Sequence, residues 1–255
     1  MVHLHTRSAY SLLESPFRIE QIVDMAIKYG FNHACLTDKR SMYGTMKFIK
    51  LCQEKGIHPI VGLEVDSVYQ DQPFDFILLA KNDRGLQDLY ALSTILMNDP
   101  SKVSLELLFK YVLDCIVLTA GDDDSLEQYI DNDELEKLEQ ILKYCHEHIP
   151  DFYVSIAMND SKYRANKNLV LKRVAHDCGC RTVALSRIFY AYKEDVEKQR
   201  ILKAIDKQTT IHDQTLNVLY DRYYRSQEEM NALYDKDDLN ATEEIAERCN
   251  IQLAM

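Results

Sequence analysis

The sequence predicts an α/β fold, either a barrel or a doubly wound sheet. The first indication is a helix over 17–29, whose apolar residues recur on one face. The second is a pair of short apolar strands, 33–37 and 57–65, that alternate with helical patterns. The third is that each strand ends near an acidic residue, Asp38 or Glu64. In a barrel, functional side chains lie at these strand ends.

The same alternation continues about seven times along the chain, with no internal repeat. Gly30 and Gly56 would end the first two helices in the left-handed conformation that glycine favours. Ser226 and Glu229 have the spacing of a capping box that opens a short helix. A polar stretch, 207–217, is predicted to be an exposed loop. The remaining predicted strands are 74–80, 115–119, 152–156 and 182–185, and the remaining predicted helices are 43–54, 83–97, 105–109, 133–148, 163–178, 194–206 and 239–249.

Composition limits the classes of protein to consider. The chain has 255 residues, enough for one large α/β barrel or two smaller domains, and it is 46% hydrophobic and 28% charged, as in ordinary globular proteins. No apolar run approaches the ~18 residues of a membrane span and nothing resembles a signal peptide, so we expect a cytoplasmic protein with no membrane partner. The net charge of −11 argues against nucleic-acid binding by this chain alone, since phosphate backbones are bound by clustered Lys and Arg. A place beside nucleic acid in a larger assembly stays open.

Cysteine usage and missing motifs exclude further classes. Seven cysteines, an odd number, predict no disulfide framework and suit a reducing cytoplasm. Cys178 and Cys180 could form half of a metal site, but the sequence offers no second half, so we expect buried thiols. There is no GxGxxG or GxxxxGK[ST] phosphate loop and no GxSxG elbow. Nucleotide-binding folds of those kinds are disfavoured, and serine hydrolase chemistry has no support.

The first seven residues carry the most informative small motif. His3 and His5 alternate with apolar Val2 and Leu4, which predicts a strand over 1–7 with both imidazoles on one face. Such a pair can present two nitrogens to one metal ion. It can equally face solvent on an edge strand, and from these residues alone both interpretations stay open.

Two other polar clusters are weaker candidates. The three aspartates at 122–124 could bind a cation, but adjacent carboxylates without a spaced partner are usually a solvated helix start. His146 and His148 lie near a predicted helix C-terminus, where the helix dipole favours them. Positions two apart diverge on a helix, so this pair predicts no metal site.

Seven segments carry a resemblance to a known family: His3-Leu-His-Thr-Arg-Ser-Ala-Tyr-Ser-Leu-Leu13, Leu36-Thr-Asp-Lys39, Tyr43-Gly44, Gly56-Ile-His-Pro-Ile-Val-Gly-Leu-Glu64-Val65, Leu78-Leu-Ala-Lys-Asn82, Asp221-Arg-Tyr-Tyr-Arg-Ser-Gln-Glu-Glu-Met230 and Glu243-Glu-Ile-Ala-Glu-Arg-Cys-Asn250. Together they resemble the PHP (polymerase and histidinol phosphatase) domain family. More narrowly, they resemble the N-terminal PHP domains of bacterial replicative DNA polymerase III alpha subunits. The resemblance covers nearly the whole chain, and its motifs are specific in combination.

The resemblance implies a distorted (β/α)7, TIM-like barrel, the PHP fold, with metal ions at the C-terminal ends of the strands. It implies a barrel core over 1–206, then a C-terminal loop and helices over 207–255 that complete the domain and lead to an absent polymerase palm. The catalytic aspartates of that palm, with their Mg²⁺, would lie beyond residue 255. Active family members hold up to three metal ions with His, Asp, Glu and sometimes Cys ligands, and they hydrolyse phosphoesters.

Against that ligand set, the sequence keeps some positions and departs at others. The positions kept are His3, His5, Asp38 and Glu64. The departures are Arg7 and Lys39 at histidine positions, Glu14 where aspartate is common, Asp75 at another histidine position, Gly121 roughly at a cysteine position, and Arg187 and Phe189 in place of the Asp and His of the last motif.

We therefore expect a remnant of a metal cluster, with no catalytic residue and no cofactor in this domain. Lysine and arginine offer a divalent cation no lone pair, and their charge repels it. Hydrolysis by a metal cluster needs ions ~3.5–4 Å apart, which the kept residues would not hold. We expect Lys39 or Arg187 to lie beside Asp38 and Glu64 and to supply the positive charge that ions once supplied. If each position instead changed independently, these basic side chains would point to solvent.

Three functional hypotheses follow. The favoured one is a non-catalytic structural domain of a DNA polymerase III alpha subunit, a DNA-directed DNA polymerase of DNA replication. Its partners would be the palm and thumb of that chain, with proofreading or clamp subunits as further candidates. The alternative is a metal-dependent phosphoesterase or 3′–5′ exonuclease with a reduced site at His3, His5, Asp38 and Glu64, which would hold Zn or Mn. The third is a free-standing binding protein that kept the barrel and lost the chemistry.

Overall fold

The structure is a computed structural model that describes residues 1–70, 72–99, 103–121, 125–158 and 162–252. An extended N-terminal segment precedes the first helix. The strands are β1 (His33–Leu36), β2 (His58–Tyr69), β3 (Gln72–Ala80), β4 (Val103–Ser104), β5 (Cys115–Thr119), β6 (Phe152–Ile156) and β7 (Arg181–Ala184). The helices are α1 (Ile19–Lys28), α2 (Thr45–Lys55), α3 (Asp83–Asn98), α4 (Leu105–Leu108), α5 (Ser125–Asp131), α6 (Leu135–His148), α7 (Lys162–Asp177), α8 (Val196–Asp206), α9 (Gln227–Leu233) and α10 (Lys236–Arg248).

The sheet curls into a distorted α/β barrel, as the sequence predicts. Its strand order is β1-β2-β3-β5-β6-β7, and the short β4 pairs with β2. The pairs β1–β2, β5–β6 and β6–β7 are parallel, but β3 runs antiparallel to both β2 and β5. The reason is that β2 and β3 form a hairpin in which Tyr69 pairs with Gln72, so the chain reverses without a crossover helix. The predicted strands 57–65 and 74–80 are the inner parts of this longer hairpin.

The predicted strand over 1–7 is wrong as a strand. The segment is extended, but its one bridge joins Thr6 to Ile188. Several of its backbone donors bond to distant side chains instead of a strand ladder: Val2 N donates to Thr242 Oγ1 over 2.8 Å, and Thr6 N donates to Thr37 Oγ1 over 3.0 Å. The segment thus lies between the end of β1 and the chain that follows β7.

Two apolar layers hold the fold together. The outer layer lies between the sheet and the helices, and α1 contributes its buried face of Ile19, Ile22, Val23 and Ala26 to it. The inner layer fills the barrel, where side chains from the strands meet Ile245 of α10. Helix α10 covers the end of the barrel at which Ile245 lies. Burial of apolar surface stabilises both layers.

The helix ends follow their local sequence signals. Gly30 and Gly56 have φ of +73° and +70°, the left-handed conformation predicted for both. Ser226 Oγ accepts from Glu229 N, and Glu229 Oε2 accepts from Ser226 N, so the predicted capping box forms at α9. The sequence patterns do not predict helix α5 or strand β4.

Other sequence-based expectations have mixed outcomes. All seven cysteines are free and buried, including Cys178 and Cys180. The last helix starts at Lys236, earlier than the predicted 239. The aspartates at 122–124 lie outside the described residues. Within the described ranges, no helix is both long and apolar enough to span a membrane.

Candidate functional site

One end of the barrel interior is polar, and we call it the mouth. Glu64 lies at its centre. It lies within β2 and is fully buried. Arg7 Nε donates to Glu64 Oε2 over 2.7 Å and Arg7 Nη2 donates to Oε1, a bidentate pair that Arg187 Nη2 joins at 3.3 Å from Oε1. Although burial acts to raise it, the charges of Arg7 and Arg187 hold the pKa of Glu64 well below its usual range.

His5 contacts the other side of this carboxylate. Thr37 Oγ1 accepts from Thr6 N and lies 2.7 Å from His5 Nδ1. The other ring nitrogen, Nε2, lies 3.2 Å from Glu64 Oε2. Burial lowers the pKa of His5 to about 4, so the ring is neutral at pH 7.

A chain of alternating charges leads from Glu64 to helix α8. Arg7 Nη1 donates to Glu14 Oε2 over 2.9 Å, and Lys203 Nζ lies 3.2 Å from the same oxygen. The ring of Phe189 lies under Arg7, with 4.5 Å between the guanidinium carbon and the ring centroid. Glu64, Arg7, Glu14 and Lys203 are therefore joined in one chain of ion pairs.

Asp38 is held by neutral donors. Ser8 N and Ser11 Oγ donate to its Oδ1 over 2.6 and 2.7 Å, and Ser8 Oγ donates to Oδ2 over 2.7 Å. Burial raises the pKa of this carboxyl group, and the hydrogen bonds act in the opposite direction. Its hydrogen-bonding partners come from the loop that follows the N-terminal segment.

Of the two basic side chains expected beside Asp38 and Glu64, Lys39 or Arg187, Arg187 lies beside Glu64 and Lys39 does not. Lys39 Nζ lies 2.9 Å from Asp66 Oδ1 and 3.9 Å from Asp75 Oδ2. Its side chain therefore extends along the β2–β3 hairpin, not toward Asp38 or Glu64. Arg7, for which the sequence predicts only repulsion of a metal, is the main partner of Glu64.

His3 and His5, which the sequence predicts to lie on one face of a strand, are in different surroundings. His3 Nε2 donates to Arg225 O over 2.8 Å, and its ring meets Phe31 and Tyr224 edge-on at 5.2 and 4.6 Å. The irregular N-terminal segment directs the two rings to different surroundings. Burial lowers the pKa of His3 to about 4 as well.

The remaining predicted positions do not converge on Glu64 as ligands. Gly121 has φ of +87°, and a Cβ there would lie 3.2 Å from Leu185. His148 Nδ1 donates to Tyr144 O, and its ring stacks on Phe109 in a separate part of the fold. Across the part of the chain that the structure describes, no three His, Cys, Asp or Glu side chains are grouped so that they could hold a metal ion.

The charged groups of the mouth match in number. The cations are Arg7, Lys39, Arg40, Arg187 and Lys203, and the carboxyl groups are Glu14, Asp38, Glu64, Asp66 and Asp75. Paired charged side chains thus fill this end of the barrel interior. The arrangement is chemically suited to holding strands together, because each buried charge has an opposite charge or hydrogen-bond donors.

Comparison with known proteins agrees with this geometry. The family model of the PHP domain matches residues 3–160. The chain belongs to the PHP domain family. As a PHP domain it is homologous to the N-terminal region of DNA polymerase III alpha subunits. It is 30% identical over 266 residues to that subunit from Bacillus subtilis (strain 168), and 26% identical over 262 residues to that from Halalkalibacterium halodurans.

These alignments cover 100% of this PHP domain but 23% of each relative, so the chain spans about a quarter of their length. Among solved structures, an amidohydrolase from Chromobacterium violaceum has a TM-score of 0.52 at 11% sequence identity. The match covers 74% of this chain and 87% of that one. At this identity the likeness shows the fold alone.

Sequence reasoning missed the residues that satisfy the buried carboxylates. Ser8, Ser11 and Thr37 carry no charge and match no ligand type, yet they hold Asp38 and His5. One signal is present: Ser8 and Ser11 follow Arg7 in a segment rich in small hydroxyl residues. Lys203, which completes the charge chain, has no sequence signal that separates it from other surface lysines of α8.

Proposed function

We propose that this PHP domain is a non-catalytic structural module of a DNA polymerase III alpha-type polypeptide. The observation that carries the proposal is the environment of Glu64. The fully buried carboxylate accepts three hydrogen bonds from two guanidinium groups, and the same cations repel a divalent ion.

The residues present do not fit the metal cluster that the family implies. His3 donates to a backbone carbonyl and lies among aromatic rings, and Asp38 already accepts from three donors. Clusters of two or three ions bridge the attacking and leaving oxygens of a phosphoester, and that arrangement needs several open donors on one cleft. We therefore assign no hydrolytic step to this domain and no cofactor.

The proposed context is DNA replication within a longer polypeptide. The alignments cover the whole of this chain but only 23% of each relative. This coverage supports the remainder of such a polypeptide, with its palm and thumb, as the partner. Any Mg²⁺ chemistry would belong to that palm. The net charge of −11 supports a domain that does not bind nucleic acid alone. Proofreading or clamp subunits are further candidate partners.

Metal content and phosphoesterase activity together test the proposal. We expect purified protein to carry far less than one equivalent of Zn or Mn by elemental analysis. We also expect no hydrolysis of a model phosphoester when either ion is added. One equivalent of tightly held metal, with hydrolysis that EDTA abolishes, would favour the alternative of a phosphoesterase or exonuclease.

A matched variant keeps the activity assay specific. Glu64→Gln removes the charge of the central carboxylate with little change in shape. Hydrolysis that survives in E64Q comes from a contaminating nuclease, whereas hydrolysis lost with E64Q and EDTA alike would contradict the non-catalytic assignment.

A further inference from the structure

Two histidines lie side by side at the edge of the sheet where its first two strands begin. His33 is the first residue of β1 and His58 is the first residue of β2, and the parallel pairing of these strands places the two residues opposite each other. His58 N donates to Asn32 O over 2.9 Å, so the backbone ladder starts beside the pair. Paired residues on neighbouring strands project to the same face of a sheet. The fold thus fixes both imidazoles as neighbours.

The two rings lie close together, and solvent reaches them. Their centroids are 5.3 Å apart and their planes are inclined by 33°. Within the described part of the chain neither ring makes a hydrogen bond, whereas the rings of His3, His5 and His148 each make one. His58 is exposed and His33 is partly exposed. Each neutral imidazole of the pair therefore keeps a lone pair available for a ligand.

The spacing of the two rings fits a shared metal ion. An imidazole nitrogen binds zinc at about 2.0–2.1 Å, and zinc prefers tetrahedral angles between its ligands. Two imidazoles on one such ion have ring centroids roughly 5 Å apart, and His33 and His58 already have this separation. Because the strands hold the rings in place before an ion arrives, little conformational freedom is lost on binding.

Carboxylates lie beside this edge of the sheet. Glu243 and Glu247 are four positions apart on α10 and so share one face of it, and together with His33 they line a cavity of about 330 Å³. None of the residues that line this cavity is Lys or Arg. Glu243 pairs with the amino group of Met1, while Glu247 is exposed. The charge here attracts a cation, whereas the guanidinium groups of the mouth repel one.

We propose that His33 and His58 bind one divalent transition-metal ion of the zinc class, with water at its remaining positions. Imidazole ligands suit Zn, Cu and Ni, whereas Mg and Ca prefer oxygen ligands. The ion is structural, because it joins β1, at one end of the strand order, to β2. The site is separate from the mouth, since Glu64 lies farther along β2. With only two protein ligands the ion exchanges readily and is lost to a chelator during purification.

Calorimetric titration of Zn²⁺ into untagged protein, previously dialysed against EDTA, tests this assignment. We expect one ion per chain, bound at least about tenfold more weakly by His33→Asn and by His58→Asn, since each variant loses half of the chelating pair. His176→Asn is the matched control, because this exposed histidine lies beside Asp177 and not beside a second imidazole, and it should leave the affinity unchanged. No binding of Zn²⁺, or full affinity in either H33N or H58N, would overturn the proposal.

Thermal unfolding shows whether the bound ion is structural. An ion that binds the folded chain preferentially raises Tm as its concentration rises, so Zn²⁺ should raise Tm and Mg²⁺ should not. H58N should lose this rise, and circular dichroism checks that it is folded; it carries the test alone if H33N is not. An unchanged Tm with Zn²⁺ bound, or equal effects of the two ions, would contradict the assignment. Phosphoester hydrolysis is measured separately, and hydrolysis that persists in H33N and H58N would count against the proposed function and not against this site.

Discussion

The two ends of the barrel interior are stabilised in different ways. At one end, Ile60 and Ile77 from the strands pack against Ile245 of α10 in an apolar layer. At the other end, Glu64 is held by Arg7 and a network of charges. Apolar burial is non-directional, so its contacts are interchangeable, whereas a buried charge needs one particular partner. The mouth is therefore the end at which a single substitution leaves an unpaired group.

The largest expected effect comes from breaking the central ion pair. Arg7→Met leaves the buried carboxylate of Glu64 without its bidentate partner, and we expect the free energy of unfolding to fall by about 3–5 kcal/mol in urea titrations. The control is Lys143→Met, which breaks an exposed pair with Glu139 at 3.3 Å and should cost under about 1 kcal/mol. Equal losses in the two variants would show that the ion pair of Arg7 contributes no more to stability than an exposed ion pair.

At the apolar end, the expected loss of stability comes from a cavity and not from an unpaired charge. Ile245→Ala removes a fully buried side chain from the inner layer, and we expect a loss of about 3 kcal/mol. Ile245→Val should cost about 1 kcal/mol, since it removes only one methylene group. Thermal unfolding of both variants checks this gradation. A loss that does not grow with the volume removed would contradict apolar packing as the stabilising contribution of α10.

Acid destabilises the fold through two buried histidines, His3 among aromatic rings and His5 beside Glu64. Burial lowers the pKa of His3 and His5 from 6.5 to about 4, so the unfolded chain binds more protons between these values and stability falls as the pH drops from 6.5 toward 4. We expect a loss of about 2 kcal/mol per histidine between pH 7 and 5. His3→Asn should flatten that slope, whereas His176→Asn, at an exposed position, should not. An unchanged slope in H3N would show that His3 is not buried in the neutral form.

The smallest effect compares two glycines with similar backbone conformation. Gly121 has φ of +87°, and a methyl group added there would lie 3.2 Å from Leu185, whereas Gly56 has φ of +70° and open space around it. Substitution by Ala should cost each about 1–2 kcal/mol from backbone strain. Gly121→Ala should cost a few tenths of a kcal/mol more because of crowding near Leu185. Denaturant titrations that give a smaller loss at position 121 than at 56 would contradict that crowding.

Much of the fold could be predicted because its signals are local. The apolar face of α1, the glycines after α1 and α2 and the capping box of α9 depend on residues a few positions apart. The antiparallel β3 could not be predicted in the same way. The apolar sequence of a strand buried on both faces does not show whether the strand runs parallel or antiparallel to its neighbour. Here the direction depends on the hairpin in which Tyr69 pairs with Gln72.

The sequence predicts which charged residues belong to the candidate site, but it does not predict which of them contact one another. Arg7 and Lys39 both stand at histidine positions, and the sequence does not show which of them reaches Glu64. The answer depends on direction in space: Lys39 extends to Asp66 on the same hairpin, while the irregular N-terminal segment carries Arg7 to the centre. That irregularity comes from donors bonded to Thr37 and Thr242, which are far away in the sequence.

The N-terminal segment also sets the timing of folding during synthesis. Val2 donates to Thr242, a partner 240 positions later, and Thr6 bridges to Ile188. A ribosome adds about 5–20 residues per second, so the first residues wait roughly 12–50 s for their last partner. During that interval the backbone amide of Val2 lacks the hydroxyl that accepts from it in the folded domain. Closure of the apolar end of the barrel is thus a late event, and a nascent chain that stalls before α10 would expose the apolar interior to chaperones and proteases.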